Sequence, residues 1–127
     1  MGNKRVKVGP YEFAMSTIRV TEEKAPVKML QPNHPLLSFP NKIEEKDFDN
    51  WVQERSTYQM EPVKAPYETL LQMNDTNDKP TTGSLITTKY GKGHFTYVSL
   101  VLFRQLPAGV TGSYKLLANL VSLPPNK

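Results

Sequence analysis

Cysteine is missing from all 127 residues of the chain. Disulfides, thiolate metal sites and a cysteine nucleophile are excluded, while the compartment stays open, because reducing and oxidising compartments both accept a cysteine-free chain. Long apolar runs are missing too. The longest largely apolar stretch, residues 98–103, is a strand's length, far below the roughly 20 residues of a membrane span. The start is basic (Lys4, Arg5, Lys7) with no apolar stretch after it, so it is not an intact signal peptide. This leaves a soluble chain, cytoplasmic or exported after removal of an upstream signal. Charge of one sign is scarce: the net charge is +4 and the remaining basic residues are scattered among acids. Phosphate binding needs cations gathered on one face, so no nucleic-acid partner is expected. A Gly-x-Ser-x-Gly elbow, a His-Glu-x-x-His helix, a Walker loop and cysteine-based zinc spacing are all absent.

What is present is a composition of 38% apolar and 22% charged residues, ordinary for one globular domain over residues 1–127. The most structured stretch is residues 83–123. Tyr90-Gly91-Lys92-Gly93-His94 predicts a tight hairpin, because glycine supplies the positive φ that such turns need. After it, Val98, Leu100 and Leu102 fall on one face of a strand, with Phe95, Tyr97, Val101 and Phe103 on the other. A strand apolar on both faces is expected at the centre of its sheet. Residues 111–123 predict a helix with Tyr114, Leu117, Ala118 and Val121 on one face, widened by Leu116, Leu120 and Leu123 and largely buried.

In the first half, residues 1–11 predict a tail or lead-in strand, and strands are expected over 13–21 and 26–30. Pro32, Pro35 and Pro40 predict a loop over 31–41. His34 lies in it, readable as a structural histidine or as a site residue. Residues 44–55 predict a helix with an apolar stripe of Phe48, Trp51 and Val52, opened by a capping box from Asn41 to Glu44. On its other side Asp47, Asn50 and Glu54 form either a solvated face or a carboxylate pair. A short strand is expected near Tyr58 and a surface loop over 73–82. Arg104 and Gln105 lie beyond the strand's carboxyl end, where open sheets bind ligands. Arg104 suits a carboxylate or phosphate, and the alternative is that both side chains satisfy loop carbonyls. Glu54 and Arg55 read as a surface pair or as loop anchors. Trp51, Tyr58 and Tyr90 are stacking candidates for a sugar, with Trp51 a core candidate first. The candidate ligand-binding residues are thus His34, Asp47, Trp51, Glu54, Arg55, Arg104 and Gln105, with no catalytic residue, metal or cofactor assigned.

Several stretches together resemble the C-terminal region of large bacterial PIG-L (LmbE-like) deacetylase proteins. They are Gly9-Pro10-Tyr11, Arg19-Val20-Thr21-Glu22, Ala25-Pro26-Val27, Pro32-Asn33-His34-Pro35-Leu36-Leu37 and Pro40-Asn41-Lys42-Ile43. Asp47-Phe48, Trp51-Val52-Gln53-Glu54-Arg55, residues 103–110 (Phe-Arg-Gln-Leu-Pro-Ala-Gly-Val), Gly112-Ser113-Tyr114 and Ala118-Asn119-Leu120 continue the likeness. In that family an N-terminal domain with an Ala-His-Pro-Asp-Asp motif carries the metal-dependent deacetylase. Here His34-Pro35 is followed by Leu36-Leu37, so no catalytic residue carries over. The resemblance implies a class I glutamine amidotransferase-like (ThuA-like), flavodoxin-like α/β domain entered midway.

The resulting expectation is an α+β fragment with a mixed, mainly antiparallel sheet and two principal helices. Its function is expected to be that of a non-catalytic accessory or interaction domain, associated with a PIG-L-type N-acetyl-sugar deacetylase and contacting carbohydrate. A ThuA-like carbohydrate-active enzyme is the alternative. A homodimer or higher oligomer is expected, joined by a sheet edge or an uncovered sheet face.

Overall fold

The computed structural model describes residues 4–8, 11–60, 63 and 66–123. Among these the chain is α+β, with all named strand pairs antiparallel. Its strands are β1 (Lys4–Val8), β2 (Tyr11–Met15), β3 (Val27–Met29), β4 (Glu68–Thr69), β5 (Leu71–Met73), β6 (Leu85–Tyr90) and β7 (Gly93–Val98). Its helices are α1 (Pro35–Ser38), α2 (Leu102–Gln105) and α3 (Thr111–Val121), and a 3₁₀ turn covers Glu45–Phe48. β1 pairs with β2, β3 with β5, and β4-β6-β7 form a three-stranded sheet.

The hairpin forms where its turn signal lies: Tyr90 faces Gly93, and Gly91 takes φ of +57°. β3 lies over 27–29, inside the expected 26–30. The lead-in segment contains β1, but the strand expected over 13–21 ends at Met15. Ser16 leaves the ladder because its hydroxyl bonds both the Gln59 carbonyl and the Ile18 N–H. The loop expected over 73–82 is present, pinned at its neck by a Met73–Thr81 bridge.

Other expectations are corrected. The central strand of the main sheet is β6, not the segment after the hairpin. Leu85, Ile86, Thr87 and Thr88 are buried consecutively, whereas β7 is half-buried throughout and, among the described residues, lies on the outer side of β6, opposite β4. The segment after β7 does not continue to Phe103. Leu100 bridges Ser56, Val101 is buried, and the chain then coils into α2, leaving Phe103 65% exposed. No strand forms at Tyr58, whose φ is +55° and whose side chain is exposed; Ser56 and Met60 on either side make isolated bridges instead.

The loop over 31–41 contains α1, because proline at the first helical position costs nothing: its missing N–H had no partner to lose. The helix expected over 44–55 shrinks to the 3₁₀ turn. Asn50 and Gln53 both sit at φ +66°, outside any right-handed helix. The Val52 N–H that a helix would use internally is instead taken by the Gln105 side chain at 2.7 Å. The two principal helices are therefore one, α3, beside short turns.

α3 is rotated from its expected setting. Gly112, Ser113, Leu116 and Asn119 face inward, while Tyr114, Leu117 and Val121 are exposed. Two contacts set this rotation. Gly112 lies so close to the Asp47 backbone that an added β-carbon would overlap its carbonyl. Asn119 donates to the Leu36 and Asn41 carbonyls at 3.0 and 2.7 Å and accepts from the Asn41 N–H at 2.9 Å. Polar bonding, not apolar periodicity, chooses the buried face. The core gathers Leu36, Leu37, Ile43, Phe48, Trp51, Leu70, Leu71, Leu85, Val101 and Leu116.

Candidate functional site

The segment 44–56 is a strap laid across the molecule, and most of the candidate residues hang from it. The capping box is real, but it runs between Glu44 and Asp47 rather than from Asn41. The Asp47 carboxylate accepts from the Glu44 N–H at 2.7 Å and from Lys115 Nζ of α3 at 2.9 Å. Trp51 is 2% exposed, its indole N–H donates to the Asp47 carbonyl at 3.0 Å, and its ring tilts against Phe48. It is a core residue and offers no face to a sugar.

Glu54 is the centre of a small ion cluster. Arg19 forks onto it, with Nε 2.9 Å from Oε2, and Arg104 Nη2 stands 3.7 Å from Oε1. The carboxylate raises the Arg19 pKa, first through their hydrogen bond and then through charge attraction. Arg104 also lies over the Phe103 ring. Asp47 and Glu54 are thus held apart by separate cations, and no group of three metal-ligating side chains occurs among the described residues. The carboxylate pair envisaged on a helix does not form, because the helix does not.

Gln105 is fully buried and spent on the backbone. It accepts from the Val52 N–H and donates to the Val52 and Glu54 carbonyls. Of the two sequence readings, loop-carbonyl satisfaction holds for Gln105, while Arg104 turns to Glu54. His34 caps α1, its Nδ1 accepting from the Leu36 N–H at 3.1 Å. Burial holds its pKa below the ordinary 6.5, helped by His94 and opposed by Glu68. A neutral imidazole is what the cap requires, since protonated Nδ1 accepts nothing.

Arg55 differs from the rest. It is 5% exposed and lines a cleft of about 330 Å³ with Glu23, Lys24, Phe48, Asp49 and Asn50. Its Nη1 donates to the Phe48 carbonyl at 2.7 Å, and the guanidinium stands over the Phe48 ring. Its Nε is buried with no hydrogen-bond partner among the described residues. Burial pushes its pKa down, and Asp49 pushes it back up. Arg55 is therefore not half of a surface pair with Glu54; it anchors the strap through the Phe48 carbonyl and keeps donors to spare.

The structure brings Glu54, Arg104 and Gln105 together, sets Asp47 and Trp51 beside α3, and leaves His34 at α1. Sequence reading missed Arg19, Lys115 and Asn119. Arg19 had one signal, its place as the polar residue between Ile18 and Val20. The other two had none, because nothing in a helical pattern says which polar residue faces inward.

Neither a protein-family model, nor a curated protein, nor a solved structure matches the chain. No helix among the described residues is long and apolar enough to cross a membrane.

Proposed function

We propose that the chain is a non-catalytic interaction domain, a portion of an amidotransferase-like (ThuA-like), flavodoxin-like fold that docks on a PIG-L-type N-acetyl-sugar deacetylase and forms homodimers. One observation carries the interaction reading. The outer face of α3 presents Tyr114, Leu117 and Val121 at 51%, 37% and 77% exposure, an apolar stripe on the longest helix. Large exposed apolar residues grouped on one element mark contact surfaces. The polar candidates support the non-catalytic part: Asp47, Glu54 and Gln105 are occupied by Lys115, Arg19 and backbone groups. Exposed Tyr58 and Tyr90 are the rings on which a sugar face would stack.

Sedimentation of the chain alone, then with a PIG-L-type catalytic domain, tests the proposal at micromolar concentration. A dimer and a co-sedimenting complex are expected, the complex weakened by Leu117→Glu with Val121→Glu. A monomer that ignores the deacetylase, or acetate release by the chain alone, would overturn it.

A further inference from the structure

The Arg55 cleft is built, and its guanidinium feels the Asp49 charge without forming a direct ion pair among the described residues. One wall is the strap, where Asn50 at φ +66° turns the backbone between Phe48 and Arg55. The other is the turn at Glu23 and Lys24, closed by the Ala25 N–H bonding the Glu22 carbonyl. That turn is fastened from behind. Asp75 accepts from the Thr21 and Glu22 N–H groups at 2.9 and 2.8 Å, and Glu22 accepts from the Thr76 hydroxyl at 2.8 Å. Both walls are thus fixed before any ligand arrives.

Arg55 is nine-tenths buried, yet it forms no ion pair within 4 Å among the described residues. A guanidinium carries five N–H donors in a planar fork, and hydrogen bonding here uses one of them, on the Phe48 carbonyl. A buried cation without a direct partner gains from an anion brought within contact distance. Asp49 and Glu23 line the same cleft. Lys24 lines it too, so the two acids are only partly offset by cations: they oppose a doubly charged anion more than a singly charged one, and they are acceptors for donors standing next to a bound charge.

We propose that this cleft binds a small carboxylate whose neighbouring groups donate hydrogen bonds, the carboxylate seated on Arg55 and the donors facing Asp49 and Glu23. A carboxylate matches the guanidinium fork with one negative charge, where phosphate brings about 1.5 to 2 at neutral pH. The donors are hydroxyls, as on a uronic acid, or an ammonium, as on an amino acid. The site stands whether or not the chain docks on a deacetylase.

The test is an NMR titration of the full chain, following the Arg55 Nε–Hε resonance, with D-glucuronate, glycine, D-glucose and inorganic phosphate at matched ionic strength. Saturable shifts in the millimolar range with glucuronate or glycine are expected, and whichever binds tighter names the donor class. Phosphate should bind at least roughly tenfold more weakly, a difference of about 1.4 kcal/mol. Asp49→Asn should narrow that gap. Arg55→Lys, which keeps charge but loses the fork, should weaken glucuronate or glycine about tenfold or more. Should Arg55→Lys fail to fold, the wild-type resonance still decides. No saturable shift, an equal response to glucose, or phosphate binding as tightly as the carboxylates overturns the proposal.

Discussion

Gly112→Ala is the sharpest test of how α3 is seated. An added β-carbon would lie 1.7 Å from the Asp47 carbonyl oxygen, 2.4 Å from its carbon and 2.6 Å from its Cα. All three are backbone atoms of the 3₁₀ turn, so no side chain can swing aside. Relief requires α3 and the turn to separate by roughly 1.5 Å, more than a close-packed interior absorbs without loss. That separation would also stretch the Lys115–Asp47 contact at 2.9 Å. Overpacking of this kind costs about 3 kcal/mol at the upper end of its usual range. Alanine returns about 1 kcal/mol of helix propensity over glycine. The net expectation is a loss of about 2 kcal/mol or more, a fall of roughly 8 °C in melting temperature at about 4 °C per kcal/mol. Urea unfolding followed by the fluorescence of Trp51 measures it directly, because Trp51 is the one tryptophan and bonds to the same residue, Asp47. Gly109→Ala is the control: φ is +74° but nothing lies within 4 Å, so only backbone strain of about 1–2 kcal/mol applies. A Gly112→Ala protein as stable as wild type would refute the close approach, and with it the rotation assigned to α3.

Trp51→Ala should cost about 3–5 kcal/mol, and native Trp51 should emit as a buried indole; a solvent-like spectrum would contradict its 2% exposure. Gln105→Ala should cost about 2–4 kcal/mol in chemical unfolding, since it strands the Val52 N–H and two carbonyls, and a near-neutral result would mean that water replaces the amide. For His34 the folded pKa lies below the ordinary 6.5, so its contribution to stability is full above that value and is lost as pH falls through the folded pKa. His34→Ala should therefore destabilise by about 1 kcal/mol at pH 8 and less at pH 5, and an imidazole that titrates above 6.5 by NMR would reverse the sign.

What sequence revealed and what it hid divide along a physical line. The hairpin was legible because its turn depends on one local requirement, positive φ at Gly91. α3 was legible as a helix, as its apolar residues recur at helical spacing. Its orientation was not, because Asn119 and Gly112 decide it through Asn41 and Asp47, far away in the chain. The strap failed for a related reason. Phe48, Trp51 and Val52 do carry a helical stripe, but Gln105 competes for the Val52 backbone and wins. β7 was misjudged as central since apolar residues on both faces of a strand do not say whether both edges are paired. At the site, sequence marks Arg55 only by its place beside Glu54. That it is buried with no direct ion pair among the described residues is visible only when the neighbours are in place.

Ser56 bridges Val20 on one side and Leu100 on the other. Its hydroxyl reaches Ser99 across 43 positions of chain, Glu54 meets Arg19 across 35, and Gln105 meets Val52 across 53. The strap has little regular structure of its own, so each of these contacts must be closed against the entropy of a long loop before it rewards the chain. A chain organised in this way collects few native contacts early, and its folding rate is expected to be low for its length. During synthesis Glu54 can already meet Arg19, while Val52 and Ser56 would wait for Gln105 and Ser99 until α2 has left the ribosome. For that interval Val20, Phe48 and Trp51 lack Leu100, Val101 and Leu116, which share their core in the folded chain.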